Sequence, residues 1–352
     1  MGNHFTGVGN YIPTKTISNL FFDNHQFLDE KGATILQDNA TIAYKLKQIT
    51  GIEERRYAEN SQVTSDLGYL AAASAIKNAK INVETIDYII FAHNFGDVRY
   101  GTIQSDMVPS LAARVKHKLK IQNPYCVAYD VVFGCPGWIE GVIQANAFIN
   151  AGLAKRCLVI GAETLSRVVD RHDRDSMIYA DGAGAVIIEP GENNIGIQAH
   201  LSASYANVEK EFLYFGKSYN SDHCPDTKYI KMHGRKIYEF ALSKVPLAMK
   251  KCIDDSLYNI DDINKIIIHQ ANEKMDEAIV KRFYRLYDKN TPKDIMPMVI
   301  HKLGNSSVAT VPILLKMILN DELENHHINE GDVVLFASVG AGMNINTFIY
   351  QF

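Results

Sequence analysis

A cysteine held between an apolar strand-like run and a helical pattern is the first feature of this 352-residue chain able to do chemistry. Residues 126–133 read as a strand, and apolar residues at Trp138, Ile139, Val142, Ile143 and Ala147 follow with helical spacing. Cys135 stands at the junction, with Pro136 in the first helical position that proline favours. A thiol there meets the positive end of a helix dipole, which favours thiolate. The dipole is worth at most about 2 kcal/mol, or roughly 1.5 pKa units. That takes a thiol from ~8.5 only to ~7, so a full nucleophile also wants a histidine nearby. A buried, inert cysteine is the competing reading of the same residues.

The elements that must position this thiol show a repeat. Residues 86–94 and 263–271 are similar apolar strands 177 residues apart, each following an acidic turn. Residues 157–163 and 333–339 form a second pair, 176 residues apart. Two strands recurring at nearly one offset point to a duplication of about half the chain. We read the halves as 1–190, carrying the cysteine, and 191–352. The strands are near-continuous Ile, Val and Leu runs, as expected for sheets covered on both faces. Helical patterns lie at 67–79, 107–119, 138–151, 236–256, 273–286 and 308–319. Strands alternating with helices imply an α/β fold with mostly parallel sheets. The polar stretch 204–229 reads as a loop between the halves.

The second half brings further chemistry. The strand copy at 263–271 ends in His269, followed by Gln270, Ala271 and Asn272. Strand carboxyl ends are where ligand chemistry gathers in α/β folds. Gly304, Asn305, Ser306 and Ser307 then open a helical pattern. Asn305 is an ordinary helix cap on one reading. In the duplicated scheme this helix start is the counterpart of the one at Cys135, so the two could face one cavity. The last strand runs into Gly340, Ala341 and Gly342, which allow close backbone approach and free N–H groups for an oxyanion.

Composition narrows the field. Hydrophobic content of 47% with 22% charged residues fits an ordinary soluble globular protein. A net charge of -4 gives no global attraction to nucleic acid or anionic lipid. No apolar run reaches a membrane-spanning length. Five cysteines (126, 135, 157, 224, 252) form no CxxC pair, and the histidines lack metal-ligand spacing, so no metal site is expected. An odd cysteine count without a signal-peptide pattern leads us to expect a reducing cytoplasm.

At these residues the chain resembles the thiolase superfamily, and within it β-ketoacyl-acyl-carrier-protein synthase III. The resemblance runs from the segment 7–13 to the terminal Phe352. Its most specific matches are Gly-Cys-Pro-Gly-Trp around Cys135, His-Gln-Ala-Asn at 269–272, Gly-Asn-Ser-Ser-Val-Ala-Thr-Val-Pro at 304–312 and Asp-Gly-Ala-Gly-Ala-Val at 181–186. It implies a thiolase-like αβαβα five-layer sandwich of two similar halves, and a homodimer. It also implies a Cys135–His269–Asn305 triad that acylates the cysteine and decarboxylates a malonyl-type thioester. The acyl-transfer oxyanion would rest on backbone N–H groups of Cys135 and the turn at Ala341 and Gly342. No bound cofactor is implied; the substrates would be acyl thioesters of carrier-protein phosphopantetheine or of coenzyme A. Lys274, Lys281 and Arg282 match positions by which relatives grip acidic acyl carrier protein, whereas Glu239 stands where relatives often have lysine.

The chain departs from the family in four places. Ala341 replaces a glycine. Pro136 and Trp138 replace the usual alanine and phenylalanine. The tryptophan and arginine that clamp the coenzyme A adenine fall on Lys45 and Ile49, with Arg55 or Arg56 as substitutes if the alignment shifts. Loss of that clamp favours carrier-borne donors over coenzyme A. The segment 93–107 is longer than usual, which leaves acyl-chain length open. Rival readings on the same fold are acyl transfer without decarboxylation, head-to-head condensation and ring-forming condensation. A non-catalytic partner subunit is a fourth reading, but such subunits usually lack a triad member. A cysteine hydrolase elbow fails because residue 133 is Phe rather than glycine.

Overall fold

Strands rich in Ile, Val and Leu bury both faces, and those of this chain divide their side chains accordingly. In the computed structural model, which describes residues 2–191, 195–222 and 226–352, every residue of the strand Cys157–Thr164 is buried. Leu158, Ile160 and Ala162 pack outward with Leu67, Ala71 and Ala75 of the helix Thr64–Ala79. Cys157 and Val159 turn inward onto the helix Gly137–Asn150. The period of two thus feeds two separate apolar layers.

The first sheet has the order Asn3–Tyr11, Asp181–Pro190, Cys157–Thr164, Tyr88–Ala92, Val127–Val131. The second has the order Gly196–Ser204, Asn344–Gln351, Val333–Gly340, Ile263–Ile268. Strands paired by the 176- and 177-residue offsets occupy matching neighbouring places: Tyr88–Ala92 lies parallel to Cys157–Thr164, and Ile263–Ile268 parallel to Val333–Gly340. Helices Gly137–Asn150 and Thr310–Leu319 fill the space between the sheets through Trp138, Val142, Leu314 and Ile318. Helices Gly234–Asp254 and Glu273–Arg285 cover the outer face of the second sheet. The result is the expected αβαβα order of layers. Among the described residues no helix is long and apolar enough to cross a membrane.

Local differences from the sequence expectation have identifiable causes. The helix expected over 107–119 spans only Leu111–Lys118, because Pro109 lies ahead of it and the Ser110 hydroxyl caps it from Ala113 N–H at 3.2 Å. Pro136 sits one residue earlier than expected, at the N-cap, and Gly137 is the first helical residue. The helix after Asn305 begins at Thr310, preceded by a tight turn over Ser307–Ala309. Residues 204–229, read as a loop, contain the strand Leu213–Lys217, which pairs with Lys228–Met232 in a hairpin. Phe215 is exposed and Lys231 is buried, the reverse of the expected alternation. Asp181 opens the strand Asp181–Pro190, and its carboxylate accepts hydrogen bonds from Ala58 N–H, Ser166 N–H and the Ser166 hydroxyl. Cys224 lies outside the described residues.

Trp138 is fully buried between Phe5 and Phe348, at ring-centroid distances of 6.3 and 6.4 Å. Its indole N–H has no partner among the described residues. Trp138→Ala should therefore cost about 3–5 kcal/mol, while Trp138→Phe, which keeps a ring and removes the unpaired donor, costs less than about 1.5 kcal/mol. Urea denaturation of both variants measures the difference.

Candidate active site

The two central helices lead the chain into one cavity of about 940 Å³. Cys135, His269, Asn305, Ala341 and Gly342 all line it. The thiol reaches it because Gly134 turns the chain at φ 70° between the strand Val127–Val131 and the helix Gly137–Asn150. A side chain at Gly134 would lie 2.7 Å from Ala341 N, and one at Gly340 would lie 2.4 Å from Cys135 N. The 134–135 and 340–341 backbones are therefore in direct contact. Ala341 is not among the residues with positive φ. The Asn344 amide donates to Ala341 O at 3.0 Å and to Phe133 O at 3.4 Å, tying the two segments together. The Cys135 and Ala341 N–H groups thus lie on adjoining stretches beside the thiol, the expected location of an oxyanion site.

His269 continues the strand Ile263–Ile268, its N–H bonded to Ala337 O at 2.9 Å. Its Nδ1 lies 2.6 Å from the Thr310 hydroxyl, which also lies 3.0 Å from Ser307 O. Thr310 has one hydroxyl proton. When that proton serves His269 Nδ1, Nε2 carries the ring's N–H. Asn305 is held by its backbone, from its N–H to Ile178 O at 3.0 Å and from Ala180 N–H to its own carbonyl at 2.8 Å. Its side-chain Oδ1 accepts from Ser307 N–H at 2.8 Å. That bond fixes the amide orientation and leaves Nδ2 free to donate.

Two further side chains belong to the site. Ser307 donates its hydroxyl to Cys135 Sγ at 3.2 Å and accepts from Asn94 Nδ2 at 3.0 Å. Asn94 Nδ2 also donates to the buried carboxyl of Glu163. Asn94 lies two residues past the end of its strand, Tyr88–Ala92. Ser307 stands inside the recognised Gly-Asn-Ser-Ser run.

Burial keeps these groups uncharged. Enclosure pushes the Cys135 thiol up to about 11, with the Ser307 hydrogen bond opposing and nearby Glu163 adding to the rise. The dipole effect expected from sequence is outweighed by desolvation. Burial likewise lowers His269 to about 3 and raises Glu163 to about 8. A neutral imidazole is a hydrogen-bond donor or a base, not a cation.

Lys45, Ile49, Arg174 and Arg235 all line the cavity. Guanidinium groups are therefore present although position 49 lacks one. Arg55 is fully buried and bonded to Ile17 O and Asn19 Oδ1, so it cannot serve there. Arg56 pairs with Glu54. Deeper in, Phe95 of the long 93–107 segment stacks on Phe215 of the hairpin at 5.2 Å. Lys274, Lys281, Arg282 and Arg285 are exposed on the helix Glu273–Arg285, and none forms an ion pair among the described residues. Glu239 pairs with Arg235 at 2.8 Å.

Comparison with known proteins bears on this geometry. Residues 129–204 match the family of 3-oxoacyl-[acyl-carrier-protein] synthase III, and residues 253–352 match its C-terminal part. The chain is 30% identical over 356 residues to β-ketoacyl-[acyl-carrier-protein] synthase III of Prochlorococcus marinus strain MIT 9215, covering 98% of this chain and 95% of that one. It is 31% identical over 338 residues to the same enzyme of Staphylococcus aureus strain Newman, covering 96% and 95%. The crystal structure of 3-oxoacyl-[acyl-carrier-protein] synthase III from Aquifex aeolicus VF5 superposes with a TM-score of 0.81 at 27% identity over the full length of both chains.

The charge state of His269 has a consequence for stability. Its imidazole is neutral in the folded protein down to about pH 3 but protonates near 6.5 once unfolded. The unfolded state therefore binds more protons as pH falls below 6.5, and the contribution present above that pH is progressively lost. His269→Gln should lose stability less steeply than the unsubstituted protein between pH 7.5 and 5, measured by urea denaturation. Parallel curves would mean that the imidazole protonates inside the fold.

Proposed function

The chain belongs to the 3-oxoacyl-[acyl-carrier-protein] synthase III family of condensing enzymes, and on that footing we propose that Cys135 carries the acyl group while His269 and Asn305 decarboxylate the extender. The observation that carries this reading is the Ser307 N–H bond to Asn305 Oδ1, which aims the amide N–H₂ into the cavity shared with a neutral His269 and the thiol.

In the first half-reaction the Cys135 sulfur attacks the carbonyl of an acyl thioester. The oxyanion is held by the N–H groups of Cys135 and Ala341, with Gly342 shaping the turn. The carrier sulfur leaves with the proton that the thiol gave up. In the second, the malonyl thioester carbonyl lies between Asn305 Nδ2–H and His269 Nε2–H. The bond to the carboxylate breaks, carbon dioxide departs, and the electron pair becomes an enolate stabilised by these two neutral donors. The enolate carbon attacks the acyl-cysteine carbonyl. Collapse of that intermediate releases a 3-oxoacyl thioester and the Cys135 thiolate, which takes up a proton. A carboxylate in place of Asn305 would repel the enolate. A non-catalytic subunit would not need all three groups in one cavity, and carbon dioxide release separates this reaction from acyl transfer without decarboxylation.

We read the oligomer as a homodimer formed through the strand Val127–Val131. It is the open edge of the first sheet, and Tyr125, Val127 and Val132 around it are exposed apolar residues. For the carrier, we read Lys274, Lys281 and Arg282 as a docking face for an acidic acyl carrier protein. Their exposure and freedom from ion pairs support this. Lys45, Arg174 and Arg235 at the mouth offer cations to the phosphate of either carrier protein or coenzyme A.

Cys135→Ala should abolish the acyl adduct seen by intact-protein mass spectrometry. Asn305→Ala should lower carbon dioxide release from malonyl thioester on the order of a hundredfold while leaving self-acylation within a few-fold. An Asn305→Ala protein that decarboxylates at the unsubstituted rate overturns the assignment. The docking face has its own test. Reversing Lys274 and Lys281 to glutamate should raise KM for the carrier-borne substrate and weaken its salt dependence, with the coenzyme A thioester unaffected.

A further inference from the structure

Ser307 bonds Asn305 and Cys135 by different atoms and is separated from His269 by one side chain, Thr310. Its N–H bonds Asn305 Oδ1 at 2.8 Å, its hydroxyl bonds Cys135 Sγ at 3.2 Å, and its carbonyl lies 3.0 Å from the Thr310 hydroxyl that meets His269 Nδ1. It does so from φ 51°, a left-handed backbone that non-glycine residues seldom adopt. Such strain persists only where the surroundings over-determine it. Here the neighbouring turn and these bonds hold it. The direction of the hydroxyl proton is also constrained. Asn94 Nδ2 donates to Ser307 Oγ at 3.0 Å and is itself anchored on Glu163, so the serine's one proton points at sulfur.

We propose that Ser307 is a positioning residue that acts through Cys135, its hydroxyl holding the sulfur in place and stabilising the thiolate as the proton leaves. This rests on the assignment of Cys135 as the acylated residue. A hydrogen bond to a charged acceptor is stronger than one to its neutral form, so the bond gains strength as thiolate appears. It lowers the barrier to acylation without placing a permanent charge in the cavity. The helix start gives too small an effect for this, and no histidine nitrogen is hydrogen-bonded to the sulfur among the described residues. The serine supplies the polar partner that the thiol otherwise lacks.

The test is the rate of iodoacetamide alkylation between pH 7 and 10, with the adduct located by peptide mass spectrometry, in the unsubstituted protein, Ser307→Ala and Ser307→Gly. Both variants keep the N–H to Asn305 and the carbonyl to Thr310, and both lose the hydroxyl. Alanine retains the backbone strain, whereas glycine adopts φ 51° freely. The expected result is alkylation of Cys135 about tenfold slower in both variants at every pH below the midpoint, which corresponds to a midpoint raised by about one unit. Unchanged rates, or slowing in Ser307→Ala alone, would overturn the proposal while leaving Cys135 as nucleophile. An adduct on a different cysteine in the unsubstituted protein would overturn the nucleophile assignment and the proposal together.

Discussion

Backbone pressed on backbone is the constraint around which this molecule is arranged. The Cys135 turn and the end of the strand Val333–Gly340 approach so closely that neither Gly134 nor Gly340 has space for a methyl group. That contact joins the Cys135 turn after the first sheet's edge strand to the hairpin turn between the last two strands of the second sheet. Sheet register then does the remaining placement. Ala337 of the same strand holds His269 by its backbone, and Asn344, just beyond the turn, bonds back to Phe133. Displacing the strand end by an ångström would move the oxyanion donors, the imidazole and the thiol together.

The site is also notable for what burial does to charge. The thiol, the imidazole and the Glu163 carboxyl all shift toward their neutral forms, by the same physical cause. A set of neutral donors costs less to bury than a permanent ion pair. In the proposed reaction, oriented amide, imidazole and backbone N–H groups meet negative charge only as it is generated. Their orientation comes from a second set of bonds, of which the Ser307 N–H to Asn305 is the clearest, and not from ion pairing.

The layer order, the strand repeat and the gathering of Cys135, His269 and Asn305 at one cavity were legible in the sequence because each rests on a local signal. Apolar runs gave the strands, a strand-to-helix junction gave Cys135, and a strand end gave His269. What was not legible depends on residues far apart in the chain. Glu163, Asn94 and Ser307 form one hydrogen-bonded line across three elements, and no spacing rule connects them. Arg174 reaches the cavity mouth from a segment remote from Lys45 and Ile49, so counting from a motif missed it. The thiol's electrostatics were misjudged in sign, since a helix start is visible in sequence and the depth of a cavity is not. The hairpin after Ser204 was hidden because it places a lysine inside, Lys231 paired with Asp170 and Asp173, and an aromatic outside, Phe215.

The depth of the thiol bears on chemical durability. Peroxide converts a cysteine to sulfenic acid through its thiolate, and further oxidation is irreversible. With burial holding the Cys135 thiol near 11, thiolate is on the order of one part in ten thousand at neutral pH. The idle protein therefore offers oxidants almost no target at the sulfur proposed to carry the acyl group. Cys126, Cys157 and Cys252 are raised by burial as well, so the thiols in these layers share the same protection.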